Sequence, residues 1–148
     1  MALSAGRVLG VDPGSVRIGI SVSDSRRTMA FPRDAVRAGD AAIAAIVGIA
    51  LEEQVTSVVV GQPLSLAGAS GAAAQTANAF AESLAEALLM HDISVARFDE
   101  RFTTTTAARQ LHLAGTSAKV ARQRIDSAAA TVLLEAFLEA TRGDDERG

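Results

Sequence analysis

Val58-Val59-Val60 is an uninterrupted β-branched run that ends at Gly61. A strand with one wet face alternates apolar with polar residues, so three successive valines need cover on both faces. That demands a layered chain, with helices above and below a sheet. At 148 residues, 49% of them apolar, the chain is long enough for one sizeable core and one domain.

The flanking segments supply the layers. Arg7 to Val11 is a short apolar run that ends in the turn cluster Asp12-Pro13-Gly14-Ser15, and Val16 to Val22 then alternates, which predicts a strand, a tight connection and a second strand. Thr28 to Val36 contains Pro32 and is expected as an irregular third or edge strand. Asp40 is the expected N-cap of a helix whose inward stripe is Ile43, Ile46, Val47, Ala50 and Leu51. Gly61 to Gly71 is a Gly/Ser/Pro loop, Ala72 to Met90 a helix, and Ile93 to Phe98 the last strand. A helix from about Thr104 to Leu113, a break at Gly115-Thr116-Ser117 and a final helix with Ile125, Ala128, Ala129, Val132, Leu133, Ala136 and Phe137 inward complete the order β-β-β-α-β-α-β-α-α. Thr141 to Gly148 is expected to be a frayed polar tail. The domain assignment is one domain over residues 1–142 and a disordered tail over 143–148, with a mixed sheet covered by helices on both faces.

Composition removes several function classes. The absence of cysteine excludes a disulfide scaffold, a zinc ribbon and a thiol nucleophile. No apolar stretch approaches 18 residues and MALSAGRVLG carries no apolar leader core, so a soluble, cytoplasmic chain with no membrane partner is expected. With no Trp or Tyr and five Phe, base stacking on an aromatic platform is disfavoured. The net charge of −3 hides a segregation: residues 1–37 carry +3, 38–96 carry −6 without one base, 97–124 carry +4 and 125–148 carry −4. If the basic segments meet they form a phosphate-binding face, with the acidic segment turned away; the alternative is solvated helix decoration.

Three carboxylates stand out. Asp12 closes the first apolar run, where it could hold a metal or simply cap the Pro-Gly turn. Glu100 follows the last strand in Phe98-Asp99-Glu100-Arg101, as a second strand-end acid or as a loop partner of Arg101. Asp126 lies inside the final helix at the border of its apolar stripe, a costly place for an unpaired carboxylate. Three converging carboxylates repel one another unless a divalent cation compensates, which describes a two-metal phosphodiester-cleaving site served by Mg²⁺ or Mn²⁺. The loop from Gly61 through Pro63 to Gly71 could offer backbone N–H groups to phosphate or be a plain connection, and Thr103 to Thr106 open a helix where anions are favoured. His91 and His112 fall near helix ends without a context that assigns them chemistry.

Leu9-Gly10-Val11-Asp12-Pro13-Gly14 with Arg17-Ile18-Gly19, Val60-Gly61-Gln62-Pro63-Leu64, Asp99-Glu100-Arg101 with Thr103-Thr104, and Ile125-Asp126-Ser127-Ala128-Ala129 together resemble the YqgF/RuvX family. The blocks span nearly the whole chain in the family's order. Pro13-Gly14-Ser15 is more like the RuvC resolvases, and Phe102 stands where Leu is frequent. The resemblance implies a ribonuclease H-like fold, with three antiparallel strands and then two parallel ones, and catalytic, metal-binding carboxylates at Asp12, Glu100 and Asp126. It implies a metal-dependent nuclease acting on 16S rRNA precursor, on branched DNA such as a Holliday junction, or on both. Substrate contacts are assigned to Gly14, Arg17, Pro63, Arg101, Thr103, Thr104, Arg122 and Arg124, and homodimerisation is left open. Two other classes compete: a small ATPase or sugar kinase of the actin type, for which 148 residues supply only one lobe, and a catalytically silent nucleic-acid-binding module, which would gain nothing from three acids beside phosphate.

Overall fold

The computed structural model describes the backbone of residues 6–14, 16–62, 71–99 and 118–147, and the side chains of 6–14, 16–62, 75–98 and 127–141. Five strands are formed by β1 (Arg7–Asp12), β2 (Arg17–Ser23), β3 (Ala30–Arg37), β4 (Val55–Gln62) and β5 (Ser94–Asp99). They make one sheet ordered β3-β2-β1-β4-β5. β2 is antiparallel to β1 and to β3, whereas β4 and β5 run parallel to β1. This is the mixed sheet expected, and Pro32 does sit on an edge strand, where its missing N–H is tolerated.

Period-two alternation assigns the two faces. Leu9, Val11, Ile18, Ile20, Val22, Val58 and Val60 pack against Ala42, Ile46 and Ala50 of α1 (Ala42–Glu52) and Ala81, Leu84 and Leu88 of α2 (Gly71–Leu89). Val8 and Val59, from the opposite face, pack against Leu134 and Leu138 of α3 (Ala118–Arg147), where Phe137 meets Phe98 edge-on at 6.1 Å. The valine triplet is thus buried on both sides, as its composition required. The acidic helices α1 and α2 lie on the face away from α3.

Several local expectations change. Asp40 is not the N-cap of α1: Ala41 occupies that position without a side-chain bond, and the Ala42 N–H donates to the Gly39 carbonyl at 3.1 Å. A backbone turn satisfies the first donor, leaving nothing for Asp40 to do. Leu51, expected inward, is 46% exposed. In that last turn Glu53 points inward instead, binding Arg7 of β1 at 2.7 Å and Arg33 of β3, which also reaches Glu52 at 3.2 Å. Gln62, placed in a loop by its sequence, is the last residue of β4 and is buried. On α3 the fully buried positions include Ala130, Leu133 and Leu134, while Ala128 and Ala129 are half-buried, because a helix crossing β1, β2 and β3 buries a wider stripe than one row. The helix continues to Arg147, through the segment read as a tail. The helix expected over 104–113 lies outside the described residues.

The turn from β2 to β3 is built on Asp24. Its carboxylate accepts from the Thr28 hydroxyl at 2.6 Å, the Thr28 N–H at 2.7 Å and the Met29 N–H at 3.0 Å. The Thr28 hydroxyl, then the Met29 N–H, favour the ionised form and hold the carboxyl below its ordinary range. A depressed folded value gives stability that is present above the unfolded pKa and lost as pH falls through the folded one. Wild type is therefore expected to melt above Asp24→Asn at pH 7, with the gap closing below about pH 4. Parallel melting curves from pH 7 to 2.5 check this; a pH-independent gap would remove the carboxylate from the account.

Candidate active site

Because β1, β4 and β5 are parallel, their C-terminal ends share one edge of the sheet, and chemistry gathers where these ends meet. Asp12 is the final residue of β1, the central strand, and is half-buried opposite Gly19. Val11 pairs with Val60, which sets Asp12 level with Gly61, so β4 projects past β1 by Gln62 alone, and Gln62 pairs with Asp99. Glu100, the next residue in the chain, lies outside the described residues.

Asp12 has the parity of Val8 and Gly10, which face α3. Val8 clusters with Leu134 and Leu138, whereas a Cβ on Gly10 would lie 3.1 Å from Leu134 Cβ and 3.1 Å from the Ala130 carbonyl. Two residues along β1, about 6.6 Å, therefore correspond to one turn back along α3, about 6 Å. One further step carries the level of Asp12 to the turn between Ala130 and Asp126. The Asp126 backbone belongs to α3, immediately before Ser127, and its side chain lies outside the described set. The same holds for Arg122 and Arg124, about one turn further toward the start of α3.

Gly14 has a structural reason beyond substrate contact: a Cβ there would stand 2.3 Å from the Arg17 carbonyl, so the β1–β2 connection closes only without a side chain. Arg17 opens β2 at the same edge of the sheet as Asp12, with the parity of Gly19 and Ser21, and is exposed. Its Cα partner is Arg37 on β3, which the sequence reading did not assign; the hairpin register is the signal that would have found it. Three other arginines of the first basic segment have structural work. Arg7 and Arg33 pair with Glu53, and Arg27 donates to the Gly6 carbonyl at 2.8 Å and to Thr56 at 3.1 Å.

On the α2 side of the same edge, Asn78 Oδ1 accepts from Gln62 at 3.1 Å and from Arg97 at 3.1 Å, a polar link that composition did not reveal. Pro63, Arg101, Thr103, Thr104 and His112 lie outside the described residues. His91 follows α2 and precedes β5, at the opposite edge of the sheet from Asp12. Among the described residues no three His, Cys, Asp or Glu side chains come together as metal ligands, and of the three expected carboxylates only the Asp12 side chain is described. A half-buried carboxylate at a strand end, with no His or Cys donor beside it among the described residues, fits a hard, oxygen-seeking cation.

The chain superposes on "T. thermophilus RuvC in complex with Holliday junction substrate" with a TM-score of 0.60 at 15% identity, covering 93% of this chain and 96% of that one. A second Thermus thermophilus RuvC structure gives a TM-score of 0.57 at 14% identity. The fold therefore defines a protein of the ribonuclease H-like class. Residues 6–140 match the RuvX family, described as Holliday junction resolvase, and the chain belongs to that family. A relative from Thermobifida fusca (strain YX), named "Putative pre-16S rRNA nuclease", is 42% identical over 143 residues, covering 90% of this chain and 87% of the relative. One of the same name from Mycobacteroides abscessus is 42% identical over 140 residues, covering 93% and 83%. The chain is accordingly a nuclease, a hydrolase of ester bonds in nucleic acid. Neither the actin-type kinase nor the silent binding module is favoured.

Proposed function

We propose that the chain cleaves phosphodiester bonds in 16S rRNA precursor with two divalent cations held by Asp12, Glu100 and Asp126. The observation that supports this reading is that Asp12 and the strand end leading into Glu100 lie at one edge, with Asp12 in phase with the β1 residues that pack on α3, the helix whose backbone carries Asp126. Mg²⁺ or Mn²⁺ bound there would lower the pKa of a water and neutralise charge on the phosphate under attack. The carboxylates hold the cations and accept hydrogen bonds from water. Arg17, with Arg37 opposite it, binds flanking phosphates; Arg101, Arg122 and Arg124 extend the positive surface, and Gly14, Pro63, Thr103 and Thr104 line the substrate path.

Branched DNA is the second reading, favoured by the family description and by the resolvase superposition. It would call for a homodimer, since symmetric cuts across a junction need two copies of the site. Cleavage of a matched panel of precursor rRNA, junction, duplex and single-stranded DNA decides between them. Exclusive junction cleavage would replace the rRNA reading, and no cleavage of any member would overturn both. Among the described residues no helix is long and apolar enough to cross a membrane. A cytoplasmic location follows from the rRNA substrate proposed here.

An all-oxygen donor set excludes zinc on ligand softness. Cleavage is expected in Mg²⁺ and in Mn²⁺, with Mn²⁺ faster on non-native substrates because it tolerates imperfect geometry. No cleavage is expected in EDTA or with Ca²⁺ alone. Metal titrations at fixed substrate check this, and full activity in EDTA would end the two-metal mechanism.

Binding is expected to weaken steeply with salt. Arg122→Glu with Arg124→Glu should reduce the slope of log affinity against log salt by roughly two if each arginine neutralises one phosphate. Anisotropy titrations from 50 to about 200 mM salt measure it. An unchanged slope would return both residues to solvated decoration.

A further inference from the structure

Apolar packing is non-directional, so a helix resting on a sheet through Leu134 and Leu138 alone could slide or rotate by a fraction of a turn at little cost. The described part of α3 nearest the catalytic edge is held differently. The Ser127 hydroxyl donates to the Arg33 carbonyl on β3, and the Ser21 hydroxyl on β2 donates to the Ala130 carbonyl at 2.8 Å. Both serines are buried, at 5% and 0% exposure, in a site otherwise built of Val, Ala and Leu. Gly10 on β1 completes the seat, since the space a Cβ would need is taken by Ser21 Oγ, the Ala130 carbonyl and Leu134 Cβ.

Neither bond is required by the backbone of α3. The Ala130 carbonyl lies in mid-helix, where an N–H four residues on is its regular partner, so Ser21 adds a second donor. The Arg33 carbonyl borders an irregularity: Ile18 to Ile20 on β2 face Val36 to Arg33 on β3, so β3 carries one extra residue there. Bulges of this kind re-aim groups near functional sites, and here the carbonyl beside the bulge meets a helix hydroxyl. Burying two hydroxyls where alanine would fit gives directionality in place of apolar area.

We infer that Ser127 and Ser21 are positioning residues for the nuclease site, locking the axial and rotational setting of α3 so that Asp126 stays level with Asp12. The inference rests on the metal-site reading above. Ser127 is the stronger of the two, being bonded directly to Asp126 through the chain. Partners that orient a metal ligand without touching the metal are worth about 10–100-fold in metal affinity or activity.

The test compares Ser127→Ala, Ser21→Ala and Ser127→Thr with wild type in Mn²⁺ binding by calorimetry, in kcat and KM, and in melting temperature without metal. Ser127→Ala is expected to weaken Mn²⁺ binding about tenfold and to lower kcat with KM unchanged. Ser21→Ala should do the same to a smaller extent, and Ser127→Thr, which keeps the donor, should recover most of the loss. If the alanine variants bind Mn²⁺ and turn over as wild type while only melting earlier, or if Ser127→Thr fails to recover binding in a folded protein, the positioning role is overturned. Asp12→Asn separates the two readings. If that variant keeps wild-type Mn²⁺ affinity, the metal site itself is wrong, whatever the serines do.

Discussion

Replacing Asp12, Glu100 or Asp126 singly by its amide is expected to lower cleavage by about 100-fold or more and to leave the metal-free melting temperature unchanged or slightly raised. Most substitutions that remove a hydrogen-bonding side chain from a folded interior destabilise. These should not, because each removes one of the three like charges proposed to meet at the end of β1, and in the absence of cations such a meeting is repulsive. The second half of the prediction distinguishes a ligand set from three structural acids. Thermal melts in EDTA and in Mn²⁺ give the contrast: wild type should gain stability on adding Mn²⁺, and each amide variant should gain less. A variant that cleaves at the wild-type rate leaves the site, and one that melts much earlier in EDTA is a structural acid.

Gly10→Ala is expected to destabilise by about 1–3 kcal/mol, lowering the melting temperature by roughly 3–10 °C. The added Cβ would stand 2.3 Å from Ser21 Oγ and 3.1 Å from the Ala130 carbonyl. The serine can rotate away only by giving up its bond to that carbonyl, and the carbonyl belongs to α3, which must then lift. Combining Gly10→Ala with Ser21→Ala removes the nearer clash and leaves the carbonyl one. The double variant should therefore be more stable than the sum of the two single losses predicts, a coupling expected for residues in direct contact. Strict additivity by chemical denaturation would show that the Ser21 hydroxyl is not what a side chain at position 10 meets.

Much of this protein could be read along the chain. The alternation in residues 16–22, the valine triplet and the apolar stripe of the 72–90 segment reflect local geometry, since a strand repeats every two residues and a helix every 3.6. Asp12 was legible for the same reason: an acid directly after an apolar strand and before Pro-Gly is placed at a strand end by its neighbours. Glu100 and Asp126 were singled out in the same way, by a strand end and by the border of an apolar stripe, and the family blocks name the same two residues.

What the chain could not announce is which polar groups meet across it. Gly10 reads as a weak strand residue until α3 is laid over it, and Ser21 reads as the polar half of an alternating strand, although its partner lies 109 residues away. Arg7, Arg27 and Arg33 were counted with a basic phosphate-binding segment, yet they hold Glu53, the Gly6 carbonyl and Thr56 within the fold. Arg37 carried no signal until hairpin register set it opposite Arg17. Local propensity depends on neighbours within one turn or one pleat, so the amino-acid order determined the elements and the acids at their ends. The partners of a hydroxyl, a guanidinium or a missing Cβ depend on elements brought together only when loop-closure entropy has been overcome, and that was decided by the tertiary structure.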